Sequence, residues 1–301
     1  MSSAKGCLKI TGFGCLGVIV IIVLGAGVTG LVAKRSVSRQ VVEDVATGSM
    51  SGIEAQPESL AGAGRVVLDL SNGEFEIKVA PPGEGVTVAA KYDTMSFRLV
   101  DELVTLEDGS WEYRVGFRRT IPFLQSLAMQ IFGDAQSPEV TISLPSDTQL
   151  DLDFQISSGG FEADFGGLWL KTADIRFDKG GFELDVSEPM REPMERLTIH
   201  GSMGGFSANS LGNASPLDLT IDCKMGGAEV DLRGEWMQDC NASISIDMGG
   251  LAVIVPRDLK VTGVAVEGSS RLREETTTEV PLPELHLNVS QNRGEVEVVR
   301  R

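Results

Sequence analysis

The chain has 301 residues, 43 of them acidic against 26 basic, and a formal net charge of −17. That balance excludes a nucleic-acid binder, whose partner's phosphates call for clustered Lys and Arg. The length leaves room for one membrane element and one sizeable domain, and the charge suits a self-repelling ectodomain.

Residues 1–11 read as a short N-terminal tail. Between Lys9 and Lys34 runs an uncharged stretch holding Phe13, Leu16, Val18 to Leu24, Val28, Leu31 and Val32, long enough to cross a bilayer as one helix over 12–33. The rival is a cleaved signal peptide ending at Leu31-Val32-Ala33, although the apolar run is longer than such a peptide needs. Cys15 stands ahead of the Val18 to Leu24 core of that run and not after it, which argues against a lipoprotein cleavage site. Lys5 and Lys9 on one side and Lys34, Arg35 and Arg39 on the other barely decide the orientation. The signal-like start places the tail inside and the remainder outside: a single-pass protein of the cell membrane with an extracytoplasmic domain. Residues 34–60, polar and poor in aromatics, read as a linker.

From residue 61 the chain turns to alternating apolar and polar positions, the period of strands. Val66/Leu68/Leu70 and Phe75/Ile77/Val79 flank Gly73, and Asp108-Gly109 marks a hairpin before Trp111/Tyr113/Val115. The pattern breaks at 121–132, where Thr120 is a fair N-cap, Leu124, Leu127, Ala128 and Ile131 share one face, and Gly133 can close a helix. Such an insertion either caps an open sheet edge or docks a membrane partner through Phe123, Leu124, Met129 and Phe132, with Arg118 and Arg119 beside it.

The second half carries five glycine pairs, Gly159-Gly160, Gly180-Gly181, Gly204-Gly205, Gly226-Gly227 and Gly249-Gly250, spaced 21 to 24 residues apart. Apolar residues stand at matching offsets before each pair (Leu152/Phe154/Ile156; Leu219/Ile221/Cys223) and after it (Phe161/Ala163/Phe165; Ala228/Val230/Leu232). Each unit is strand, glycine corner, strand. One unit cannot bury its apolar side alone, so the reading is an all-β, single-stranded β-solenoid of ~22-residue repeats over 61–301. Leu285/Leu287/Val289 and Val296/Val298 supply a last rung, after a polar stretch from Glu267 to Glu279 that reads as a solvated loop or, through Gly268, as a second partner contact.

Outward positions after each corner read Glu162, Glu183, Ser207 and Glu229, then Asp164, Asp185, Asn209 and Asp231. Stacked in register, such carboxylates lie about 5 Å apart, where calcium could bridge them or longer side chains could hold them in water as a solvated acidic face. Nothing catalytic stands out. The two histidines, His200 and His286, lie near no plausible nucleophile in sequence, and no metal-ligand or phosphate-cradle spacing occurs. The expectation is a protein that is no enzyme and uses no cofactor.

The segment from Pro138 to Pro145 followed by Leu150 to Gly160, with the Met-Gly-Gly corners at Met203, Met225 and Met248, resembles the bacterial putative-adhesin family of β-strand-repeat, or toastrack, domains. Met248 through Pro256 with Gly294 to Val298 is similar to the C-terminal domain of envelope-stress regulators of the LiaF type. The resemblance implies a right-handed single-stranded β-solenoid, membrane attachment and no catalysis. One span in place of the several in LiaF-type proteins sets the chain apart from that regulatory role. Two functions follow as expectations: a scaffold that binds another protein of the cell envelope, or a surface adhesin whose acidic face is the working one.

Overall fold

Strands are what the alternating pattern builds. The computed structural model describes residues 41–47, 62–94, 96–120, 137–263 and 283–301, and its strands form one continuous sheet. In chain order they are β1 (Val41–Thr47), β2 (Gly64–Leu70), β3 (Gly73–Val79), β4 (Thr87–Asp93), β5 (Phe97–Thr105), β6 (Trp111–Arg119), β7 (Glu139–Leu144), β8 (Leu150–Ile156), β9 (Gly159–Asp164), β10 (Leu170–Asp185), β11 (Arg196–Asn209), β12 (Asp218–Asp231), β13 (Cys240–Val255), β14 (Lys260–Thr262) and β15 (Glu284–Arg300). The segments read as a membrane helix and as the insertion with Phe123, Leu124, Met129 and Phe132 lie outside the described residues, as does the Glu267–Glu279 stretch. Among the described residues no helix is long and apolar enough to cross a membrane.

The long strands β10 to β13 run straight through their glycine pairs, and β15 through Gly294, so each belongs to both arms of a bent sheet. One arm carries β5-β6-β2-β8 beside their N-terminal halves, and the other carries β1-β4-β7-β3-β9 beside their C-terminal halves. Pairing from β8 and β9 onward is parallel and in register: Ile175 faces Ile199, which faces Ile221, then Ile244 and Val289. The glycines align likewise, Gly159 through Gly180, Gly204, Gly226 and Gly249 to Gly294.

Only the first glycine of each pair is required by the backbone. Gly159, Gly180, Gly204, Gly226 and Gly249 have φ between 132° and 140°, a region open to glycine alone. A Cβ there would also lie 1.6–2.0 Å from the carbonyl oxygen of the glycine one rung back. The second glycines differ. At Gly181, Gly205, Gly227 and Gly250 an added Cβ meets nothing within 4 Å, and φ lies outside the left-handed region.

Between the arms lies a dry core. Phe161, Phe182 and Phe206 stack along it, with centroids 4.9 and 5.4 Å apart, and Phe177 lies flat against Phe182 at 5.2 Å. Gly201 leaves the space that the Phe177 ring fills. Loops close the open side of the bend with buried Met190, Met194, Leu211 and Leu232. There Asn213 ties three successive repeats: its Nδ2 donates to the Val186 carbonyl at 2.7 Å, and its Oδ1 accepts from the Glu235 amide at 2.9 Å.

Two features differ from the sequence reading. The stretch read as a polar linker contains β1, whose Val41, Val42 and Val45 favour a strand and which pairs antiparallel with β4. And the rungs do not stack in chain order at the start. β6 and β7 lie outside β2 and β3, and the chain then returns to place β8 and β9 on the other side. The Asp108-Gly109 hairpin forms as expected, with Gly109 at φ 82° and β5 antiparallel to β6.

Candidate functional site: an acidic trough with a glycine floor

In-register stacking turns any feature that recurs in each repeat into a line along the molecule. The second glycines form such a line, and the outward residue two positions on forms another. Between them runs an open trough of about 1010 Å³. Its floor is the backbone at Gly160, Gly181, Gly205, Gly227 and Gly250, and its wall is Glu76, Glu162, Glu183, Ser207, Glu229, Ala252 and Glu297. Glu74 and Glu139 close one end, where the glycine column gives way to glutamate, and Glu295 closes the other. The lining comes from eight strands, β3, β7, β9 to β13 and β15, which at strand spacing is ~34 Å.

Eight of the lining residues are glutamates and none is Lys, Arg or His. Glu76 is drawn below the ordinary carboxylate range chiefly by a hydrogen bond from Lys78, with the Thr141 hydroxyl also donating to it. Glu162 faces both Glu76 and Glu183 across the ladder, an arrangement of like charges that a cation laid along the trough would relieve.

The two acidic columns differ in role. Glu162, Glu183 and Glu229 line the trough, whereas Asp164 and Asp231 serve the fold. Asp164 accepts from the Gly166 and Ser187 amides at 2.8 and 3.1 Å and from the Ser187 hydroxyl at 2.6 Å. Burial pushes its carboxyl up, but those bonds outweigh burial and leave it below the ordinary range. Asp185, its register partner, is raised by burial and then by the Asp164 charge. Asp231 is buried and held by the Arg233 guanidinium through Nε at 2.9 Å and Nη2 at 2.5 Å. Among the described residues no group of three or more His, Cys, Asp or Glu side chains stands close enough to hold a metal ion.

Two other candidate groups resolve simply. Cys223 lies in the inward column between Gly201 and Ile246, and Cys240 opens β13 opposite Leu285. Both are buried free thiols, and burial pushes them up to about 11 and about 12, so neither is a ready nucleophile. His286 Nδ1 lies 2.7 Å from the Thr262 hydroxyl and 3.9 Å from Glu284. Hydroxyl and carboxylate thus address the same ring nitrogen, whereas a relay needs one on each.

The trough was half legible. Its glutamate wall appears in the sequence as one of the two acidic columns, but the floor does not, because both glycines of a pair look alike until φ separates them.

No protein-family model matches the chain, and no curated protein does. Among solved structures, the chain is similar to a putative cell adhesion protein from Clostridium sporogenes. The TM-score is 0.51 at 13% identity, over 87% of this chain and 100% of that one. The likeness is one of fold, and it agrees with the adhesin-like resemblance of the repeats.

Proposed function

We propose that this chain is a non-catalytic, adhesin-like binding module: a single-stranded, right-handed β-solenoid, held at a cell membrane by the helix over 12–33, that presents its trough to an extended cationic partner. The observation that carries this reading is the second glycine of each pair. Glycine in a strand costs about 0.5–1 kcal/mol relative to alanine, and at Gly181, Gly205, Gly227 and Gly250 the backbone does not need it. What glycine does there is leave the floor bare beside a wall of carboxylates. A cleft lined by one sign of charge concentrates the opposite sign, and the net charge of −17 adds to that field.

The test uses the full chain in detergent and a labelled peptide of alternating Lys and Ala, with a Glu-Ala peptide as control. The Lys peptide binds, binding weakens as salt rises, and Gly205→Leu with Gly227→Leu abolishes it while the melting curve is retained. Equal binding by the filled variant would remove the trough from the function. Crosslinking in intact membranes then separates an adhesin from an envelope scaffold: surface or matrix material identifies the first, one enriched membrane protein the second.

A further inference from the structure

Two residues ahead of the open glycines, register brings three methionines together. Met203 faces Met225 and Met225 faces Met248 in three successive rungs, and the same column continues to Lys179 on one side and Arg293 on the other. The charged ends show that the column points to solvent, and the three methionines are indeed exposed, at 42, 38 and 41%. Long apolar side chains therefore occupy a water-facing line three times running, where core packing gives no reason for them.

A thioether is a poor acceptor for protons and hard cations, and a good ligand for soft ones. We infer that Met203, Met225 and Met248 form a site for a single soft monovalent cation, copper(I) in its natural form. Each backbone position is pinned by ladder bonds on both sides and followed at once by a glycine corner that cannot rotate away. Rungs stand about 4.8 Å apart and methionine has three rotatable bonds, so the outer two sulfurs can lean toward Met225 and complete a three-sulfur set. Neutral ligands leave the bound ion its single positive charge, which the acidic molecule tolerates. Lys179 and Arg293 bound the site at three ligands, and of the adjacent side chains Lys224 opposes and Asp247 favours a cation. The ion is bound as it arrives, with no electron transferred. This inference does not rest on the trough.

The experiment titrates the full chain with silver(I), a redox-inert stand-in, and with copper(I) under anaerobic conditions against a chromogenic copper(I) chelator. It also follows the methyl signals of ¹³C-labelled methionine. The expected result is one ion per chain, with three methyl signals shifting together. Met225→Leu, which keeps volume and fold, weakens binding at least ~10-fold. Met237→Leu, at an exposed methionine elsewhere, leaves it unchanged. Failure of the chain to compete with the chelator would overturn the site. So would full binding by the triple variant Met203→Leu, Met225→Leu, Met248→Leu, which would place the ion on other side chains.

Discussion

At the scale of single residues, two adjacent glycines with the same side chain have opposite roles. Gly204 has φ 136° and would set a Cβ 1.8 Å from the Gly180 oxygen, so Gly204→Ala must push neighbouring rungs apart or bend the corner. A loss of more than about 3 kcal/mol is expected in urea unfolding. Gly205→Ala places its methyl in open trough, and because the backbone there does not need glycine a gain of about 0.5–1 kcal/mol is expected. Equal costs would mean that the corner does not have this geometry. Asp185 offers a pH test. Its folded carboxyl is raised, by burial first and then by Asp164. The protonated form is therefore favoured in the fold, and that contribution is complete below the unfolded pKa of about 4 and lost as pH rises through the folded value. At neutral pH the charge is a penalty, discounted by water and salt because the group is only partly buried. Asp185→Asn copies the next rung, where Asn209 faces it. The variant's Tm should rise by ~1–3 °C at neutral pH, with the gain disappearing toward pH 4. A gain that persists in acid would assign it to packing.

At the scale of strands, the repeated half of the chain is almost fully legible and the first half is not, and the reason is physical. Between Leu150 and Val255 successive strands pair about one period apart, so the offsets of Ile175, Ile199, Ile221 and Ile244 in sequence are also their register in space, whereas β15 joins β13 from two periods away. In the first half partners are far apart in sequence: Val66 pairs with both Tyr113 and Leu152. Alternation identified these segments as strands but carries no information on which neighbour each one takes. β1 was hidden for a different reason, since Glu43 and Asp44 interrupt its valines and mask the period. The acidic columns show the same limit. Glu183 and Asp185 are two residues apart and both outward in pattern, yet one lines the trough and the other stands beside Asp164, whose carboxylate the Ser187 loop caps.

At the scale of the whole molecule, the question is whether the sheet behaves as a stack whose rungs answer only to their neighbours, as the solenoid reading holds. Deleting residues 204–225 asks it directly, because Gly204 and Gly226 occupy the same register position and the deletion joins Met203 to Gly226 with the corner intact. The new neighbours can be read off the ladders. Phe182 loses Phe206 and meets Ala228, so some of the ring stack goes. Glu183 meets Glu229 with Ser207 no longer between them. The shortened chain should still unfold in one cooperative transition, at a lower Tm, and its stability should climb with added salt more steeply than that of the full chain as the new glutamate pair is screened. A closed two-layer core would respond differently, since removing a unit from its middle leaves faces of unequal length and exposes apolar surface at the mismatch. Aggregation or loss of the cooperative transition in the shortened chain would therefore sink the stack. A folded product with its trough reduced by one open glycine would establish that both the core and the binding face grow rung by rung.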